Sequence, residues 1–424
     1  MLPYIWIKPR FRFILRRLVH NEVTMNPNIQ RLHSYPFEKL AKLKANVTEN
    51  SALEHISLSI GEPKHTPPQF VLDELTKHLS TIAQYPLTKG TDALRESIAQ
   101  WLSKRFHLQN TRIDAAKHVI PVNGTREALF AFAQAVIDPI ERPLILSPNP
   151  FYQIYEGAAI LSGAEIGFLN TTLENNFTPD LDDVSDETWK RCQLIYICTP
   201  GNPTGKVFSE AYLEKLIHLA DKYDFIVASD ECYSEIYPDE NNPPPGLLEV
   251  AAKMGRDNFE RCVVFHSLSK RSNLPGLRSG FVAGDAKILA SFLKYRTYHG
   301  CAMPVPTQMA SIAAWNDEIH VKNNRAMYRS KFESVLKILK PVMDVDQPDA
   351  SFYLWPKTPI NDEAFAQKLF AEQNITVLPG SYLSRVSDGV NAGENHIRIA
   401  LVAEIENCIE AAKRIKHFIE NLSN

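Results

Sequence analysis

In the stretch Ser267-Leu268-Ser269-Lys270-Arg271-Ser272-Asn273-Leu274-Pro275-Gly276-Leu277-Arg278-Ser279-Gly280, serines, a lysine and two arginines follow closely on an apolar run, Cys262-Val263-Val264-Phe265. The run reads as a buried strand, so Lys270 stands at a strand's carboxyl end, where open α/β sheets bind ligands. A desolvated lysine with cations beside it, here Arg271 and Arg278, has a depressed pKa and can form an imine with an aldehyde. Ser267, Ser269 and Arg278 supply the hydroxyl and guanidinium donors that a phosphate needs. An imine-forming lysine beside a phosphate site points to pyridoxal phosphate. On this stretch alone, a surface turn with an ordinary solvated lysine weighs as much.

Other polar groups follow other apolar runs in the same way. Val119-Ile120-Pro121-Val122 ends in Asn123-Gly124-Thr125-Arg126, and a strongly apolar helix begins at once. Free N–H groups at a helix start, with a glycine and a threonine hydroxyl, form an anion site. Leu144-Ile145-Leu146 leads to Tyr152, Leu194-Ile195-Tyr196-Ile197-Cys198 to Asn202, and Phe225-Ile226-Val227-Ala228 to Asp230 and Tyr233. Pyridoxal chemistry needs a buried carboxylate to keep the ring nitrogen protonated, and Asp230 is placed for it. Asn202 and Tyr233 are the pair available to the ring's 3-oxygen, and Tyr152 is a flat partner for its face. Gly124, Thr125, Arg126, Ser267, Ser269 and Arg278 are the phosphate donors. Taken singly, Asn202 is also a good turn residue, Asp230 a common helix cap and Tyr152 ordinary packing. Arg398, inside the apolar run His396-Ile397-Arg398-Ile399-Ala400-Leu401, is harder to dismiss, because an unpaired buried arginine is costly. Together, at successive strand ends, these groups read as one site.

The elements that must position them are legible from periodicity. Apolar runs alternating with helical patterns over residues 119–284 predict a parallel sheet with crossover helices. Helices are expected near 36–40, over 67–79, 93–106 and 213–223, and one long mixed-charge helix over 318–340 connects two domains. Residues 56–63 read as an extended segment arriving at a site, with Gly61 allowing close backbone approach. The tail alternates again, with strands at 350–355, 375–378 and 396–401 and helices at 364–373 and 404–422.

The 424 residues are too many for one compact core. The expected division is a large domain over 65–309, which binds the cofactor, and a smaller α+β domain built from 25–64 and 310–424. Residues 1–24 differ: Lys8, Arg10, Arg12, Arg16 and Arg17 are mixed with Trp6, Phe11, Phe13, Ile14 and Leu15, with no acid before Glu22. The arginines interrupt any signal-type apolar core. A short amphipathic membrane-surface helix is one reading; an extension outside the fold, upstream of a start at Met25, is the stronger one.

A formal net charge of −3 argues against a nucleic-acid surface, and no apolar run reaches the length of a bilayer span. Cys192, Cys198, Cys232, Cys262, Cys301 and Cys408 are scattered and form no Cys-x-x-Cys pair. They read as reduced thiols of a cytoplasmic protein, with neither a disulfide framework nor a zinc site. No Gly-x-Gly-x-x-Gly follows an early strand, which disfavours a nicotinamide-linked dehydrogenase.

At these residues the chain resembles the class I/II aminotransferases of pyridoxal-phosphate fold type I. Asn202-Pro203-Thr204-Gly205, Ser229-Asp230-Glu231-x-Tyr233, Ser267-x-Ser269-Lys270 and Pro275-Gly276-x-Arg278-x-Gly280 stand in that family's order, over about residues 27–420. The resemblance implies a large domain with a mostly parallel seven-stranded sheet flanked by helices, plus the smaller α+β domain. It implies Lys270 as the catalytic imine-forming base, Asp230 on the ring nitrogen, and Asn202 and Tyr233 on the 3-oxygen. It implies Tyr152 stacked on the ring and Arg398, with Gly61 and Asn202 nearby, gripping the substrate α-carboxylate. Tyr85 is similar to the tyrosine that reaches across a homodimer to the other subunit's phosphate. Residues 57–65, 149–157 and 295–300 are similar to proteobacterial succinyldiaminopimelate transaminases. That implies ping-pong exchange of an amino group between N-succinyl-L,L-2,6-diaminopimelate and 2-oxoglutarate, in lysine biosynthesis. Aminotransferases of acetylornithine, aspartate or aromatic type, or a C–S lyase on the same fold, are the alternatives. Arg271 and Arg296 are the candidates for a distal substrate carboxylate.

Overall fold

Six of the apolar runs become strands of one sheet, and a seventh strand joins its edge. The computed structural model describes residues 25–108 and 113–422; the expectations for residues 1–24 lie outside the described residues. Across the sheet the order is Val119–Val122, Gly280–Gly284, Cys262–Ser267, Ile226–Asp230, Cys192–Cys198, Leu144–Asn149 and Glu165–Asn170. Gly280–Gly284 pairs antiparallel with both its neighbours, and all other pairs are parallel.

The strands read as unbroken apolar runs because both faces are covered. Leu194, Tyr196, Val263 and Phe265 face a core formed with Leu129, Phe132, Tyr155 and Phe292, from the helices Thr125–Val136, Ile154–Ser162 and Ala286–His299. Ile195, Ile197, Val227 and Val264 point the other way, as the two-residue period of a strand requires. They meet Leu94, Ile98, Leu213 and Leu216 from Asp92–Arg105 and Glu210–Tyr223. The strand Glu165–Asn170 is the one that periodicity misses. It is half exposed at the sheet edge and carries Gly167, so it has no continuous apolar signature.

A second core lies under Ile319–Leu339, Asp362–Gln373 and Ile405–Leu422. It includes Phe332, Leu354, Phe365, Ile397, Ile399 and Phe418, together with Ile56 and Leu58 from far earlier in the chain. Ile56–Ser57 pairs parallel with Ile375–Thr376. Tyr353–Leu354 and Leu378–Pro379 flank Ile397–Ala400 in a small antiparallel sheet. Tyr233, Ile236, Tyr328, Phe352 and Tyr353 form a buried apolar cluster of their own. The helix Val305–Asn316 spans the boundary expected at residue 310, and its Ala310, Ala314 and Trp315 pack in the core beneath the large sheet.

All these elements belong to the unit Ser34–Asn424. Before it, Pro27–Arg31 is a short 3-10 turn capped by the Asn26 side chain. Among the described residues no helix is long and apolar enough to cross a membrane.

Candidate active site

The sheet register brings the polar strand ends into a row. Cys198 sits beside Asp230, Asp230 beside Phe265, and Ser267 beside Gly280. Because Gly280–Gly284 runs against its neighbours, its amino end carries Arg278 to the same edge that receives Lys270. There a cleft of about 430 Å³ opens. Gly61, Thr125, Arg126, Tyr152, Asn202, Asp230, Tyr233, Ser267, Ser269, Lys270, Arg278 and Arg398 all line it, as do Tyr35, Cys232 and Tyr353. Of the residues expected at the site, Gly124 lies just behind the lining, against the Arg278 guanidinium. Tyr85 is fully exposed and lines no part of this cleft.

Lys270 Nζ donates to the Gly61 carbonyl and stands 5.4 Å from the centre of the Phe352 ring. Burial brings its pKa down to about 8; Arg398 and Arg278 push the same way, while Cys232 and Glu62 oppose them. Gly61 meets the expectation of close approach, since a β-carbon there would run into the Tyr353 hydroxyl.

Asp230 ends the strand Ile226–Asp230 and is buried. Tyr155 donates its phenol to Asp230 Oδ2 (2.9 Å), and the Cys232 amide donates to Oδ1 (3.3 Å). Burial raises its pKa above the usual carboxylate range, and these bonds pull back only in part. Among the described residues no lysine or arginine is bonded to it. A buried carboxylate short of a cation suits the protonated ring nitrogen of pyridoxal phosphate.

The phosphate donors also fit. Ser267 Oγ lies 2.9 Å from Ser269 Oγ and accepts from the Ser269 amide at 3.1 Å. The helix Thr125–Val136 begins beside them, led by Gly124 at φ 84°, a backbone that only glycine adopts without strain. A side chain at Gly124 would displace Arg278, so guanidinium, hydroxyls and helix start share one small space.

Arg398 is buried and bonded to neutral acceptors, Asn202 Oδ1 (2.8 Å) and the Ser59 carbonyl (2.7 Å). Its guanidinium lies over the Tyr353 ring at 4.5 Å, and its Nε has no partner. A guanidinium so buried without an acid has the chemistry to take up a carboxylate. Tyr233 and Tyr353 share a hydrogen bond of 2.9 Å between their hydroxyls. Arg126 Nε donates to Tyr152 Oη at 2.7 Å, and its Nη2 to Tyr35 Oη at 3.0 Å.

Neither arginine considered for a distal carboxylate lines the cleft. Arg271 is buried on the Ala314 carbonyl (2.7 Å) and Glu318 (2.6 Å), between Trp101 and Trp315. Arg296 is fully buried on both Glu127 oxygens, at 2.7 and 2.9 Å. Neighbours in a helix do not share a face, which is how Lys270 and Arg271 part company within Leu268–Arg271. Sequence reasoning missed Tyr155, Tyr353, Tyr35 and Cys232. The first two sit in apolar surroundings and read as core; the one clue to Tyr155 is its place three residues after Tyr152 at a helix start.

Comparison with known proteins shows the family. The model of the family "Aminotransferase class I and II" matches residues 54–415. The chain is 31% identical to an LL-diaminopimelate aminotransferase of Maridesulfovibrio salexigens, over 93% of this chain and 99% of that one. A solved aminotransferase from Neisseria meningitidis is 49% identical with a TM-score of 0.89, covering 93% of this chain and all of that one. A probable N-succinyldiaminopimelate aminotransferase from Thermus thermophilus is 26% identical with a TM-score of 0.79, covering 90% of this chain and 99% of that one. With the family model matching most of its length and the cleft fitted to the cofactor, the chain belongs to the pyridoxal-phosphate-dependent class I and II aminotransferases.

Proposed function

We propose that the protein transfers the amino group of N-succinyl-L,L-2,6-diaminopimelate to 2-oxoglutarate, in lysine biosynthesis in the cytoplasm, as a homodimer. The observation that carries the transaminase chemistry is the Lys270 amine, with its pKa near 8, in one cleft with the acid-free guanidinium of Arg398. The donor rests on the names of similar proteins, which point to diaminopimelate and, for the Thermus protein, to its succinyl form. Residues 57–65, 149–157 and 295–300 point the same way.

Pyridoxal phosphate would supply an aldehyde for the amine and a ring that draws electrons from the substrate. The protein's own groups do the rest. Arg398 takes the α-carboxylate and turns the substrate's Cα–H towards Lys270. The neutral amine removes that proton, a kind of catalysis worth ~10²–10⁴-fold. Asp230, its carboxylate fixed by Tyr155, would keep the ring nitrogen protonated. Asn202 and Tyr233 would donate to the 3-oxygen, Tyr152 would serve the ring face, and Gly124, Thr125, Ser267, Ser269 and Arg278 would hold the phosphate.

The purified protein should react with the succinylated donor in a single half-reaction, seen as loss of the visible band of the bound cofactor, and 2-oxoglutarate should restore it. If unacylated L,L-diaminopimelate has the higher kcat/KM, the donor assignment is wrong. That second reading is favoured by the names of the curated relatives. Failure of any pyridoxamine form to accumulate with either donor would favour a lyase instead.

The homodimer is supported by the loop that carries Tyr85. Leu79, Ile82, Tyr85 and Leu87 are all exposed within nine residues, an apolar strip that a monomer would leave in water.

A further inference from the structure

We propose that His65 is a positioning residue for Lys270: bonded to the Asn324 side chain, it fixes the segment whose Gly61 carbonyl receives the Lys270 amine. The proposal rests on the transaminase reading above and adds to it how the lysine is held for proton transfer.

The segment that presents Gly61 is otherwise loosely tied. After Ser59, whose carbonyl accepts from Arg398, no strand or helix begins until Gln69. Ile60, Glu62 and Lys64 are exposed and bond only locally: the Glu62 amide donates to the Ile60 carbonyl (2.9 Å), and Lys64 pairs with Glu62. Pro63 and His65 are the buried side chains of residues 60–68, and of the two only His65 can hydrogen-bond. Its ring lies 4.8 Å from the Tyr328 ring, its Nδ1 is 2.9 Å from Asn324 Oδ1, and Lys331 Nζ meets its Nε2 at 2.5 Å. Asn324, Tyr328 and Lys331 are spaced by four and three residues on Ile319–Leu339, so one helix face receives the histidine.

Asn324 joins this anchor to the lysine itself. Its Nδ2 donates to the Lys270 and Arg271 carbonyls, both at 3.3 Å, while its Oδ1 accepts from His65. One amide therefore holds the backbone at the root of the lysine side chain and the segment that receives its tip. The single turn Leu268–Arg271 is gripped elsewhere too, by His320 on Ser272 (2.8 Å) and Glu318 on Arg271 (2.6 Å). Those bonds secure the root alone, and His65 ties the tip. The tip matters because an ammonium rides on a flexible four-carbon stem. Once the substrate has displaced it, the amine can carry a proton only while it stays about 3–3.5 Å from the reacting atom. His65 lines no part of the cleft; it acts through Gly61.

The test compares wild type with His65→Phe, His65→Asn and Lys331→Met. Phenylalanine keeps a ring against Tyr328 and loses both nitrogens, asparagine keeps an N–H donor near the place of Nδ1, and Lys331→Met leaves the bond between His65 and Asn324 intact. On apoprotein, the rate of imine formation with pyridoxal phosphate is measured, and the Kd for 4′-deoxypyridoxine phosphate, which has no aldehyde. On holoenzyme, the half-reaction with L-glutamate gives a saturating rate, a half-saturating concentration and the isotope effect of deuterium at Cα. His65→Phe should slow imine formation about tenfold and the saturating rate about a hundredfold, as a displacement of about 1 Å does, with a larger isotope effect. Half-saturation and the deoxypyridoxine phosphate Kd should change by less than about threefold. His65→Asn should recover most of the rate, and Lys331→Met should lower the denaturant midpoint with the rate within about threefold of wild type. Should His65→Phe fail to fold around the stranded Lys331, the double variant His65→Phe/Lys331→Met removes that ammonium and is read in the same way. If imine formation keeps its rate, or if rate, half-saturation and deoxypyridoxine phosphate affinity all worsen in parallel, His65 only packs and the proposal is wrong. A wild type that forms the imine but transfers no amino group from any donor overturns the transaminase reading instead, and His65 is then judged on the imine rate.

Discussion

An amine whose pKa is brought down to about 8 is mostly protonated below that pH and neutral above it, and only the neutral form attacks an aldehyde. The rate at which apoprotein takes up pyridoxal phosphate should therefore rise with pH and level off above about 8, followed by the absorbance of bound cofactor. Arg398 is one of the cations that lowers this pKa, so Arg398→Gln should move the midpoint upward; a midpoint that stays or falls contradicts the assignment. Asp230→Asn keeps the side-chain shape but loses the charge. It should slow the half-reaction by ~10²–10³-fold, as loss of a preorganised electrostatic partner does, while cofactor still binds through its phosphate. Normal turnover in that variant would remove Asp230 from its role. Residue types at this scale were legible in the chain, because a lysine, an aspartate and an amide each following an apolar run have few structural uses together. Their mutual partners were not legible. Tyr155 and Tyr353 come to Asp230 and Tyr233 through folding alone, and Arg271, adjacent to Lys270 in sequence, is turned away from the cleft onto Glu318.

At the scale of elements, the long helix Ile319–Leu339 does more than cover the second core. Its Asn324 donates Nδ2 to the Lys270 and Arg271 carbonyls (both 3.3 Å), and its Oδ1 accepts from Asn273 Nδ2 (2.9 Å). His65 Nδ1 lies 2.9 Å from the same oxygen, and Lys331 Nζ is 2.5 Å from His65 Nε2. An ammonium can only donate and this amide oxygen can only accept, so His65 is neutral with its hydrogen on Nδ1. Burial lowers its pKa, in agreement. Asn324→Ala leaves these buried groups without partners and should cost about 1–3 kcal/mol, read as a lower denaturant midpoint at unchanged slope. A midpoint within error of wild type would mean that the network carries no stability. The helix itself was visible from its mixed-charge periodicity. The chain of contacts was not, since His65 and Asn324 are 259 residues apart. The edge strand Glu165–Asn170 escaped for the opposite reason: it is only partly buried along its length, so its sequence carries little pattern.

For the whole molecule, the exposed strip about Tyr85 sets an expectation for solution behaviour. Sedimentation equilibrium should give the dimer mass at micromolar concentration, and a monomer throughout would refute the proposed assembly. If Tyr85 reaches the other subunit's phosphate, Tyr85→Phe should weaken pyridoxal phosphate binding about tenfold, the loss of one hydrogen bond to a charged group. The same affinity in the variant would show that the contact is not made. The large sheet follows from alternation along the chain, whereas the joining of residues 56–58 to residues 374–376 depends on pairing between distant segments, which no local pattern encodes.

That joining has a consequence for deletion mapping. Leu58 donates its N–H to the Thr376 carbonyl and accepts from the Ala400 amide, the Ser59 carbonyl holds Arg398, and the Gly61 carbonyl receives the Lys270 amine. A protein starting beyond residue 61 would keep Lys270, Asp230 and Arg398. It would still have lost the shelf on which its lysine and its carboxylate receptor both rest, so a silent deletion mutant would report a missing support and be mistaken for a missing catalyst.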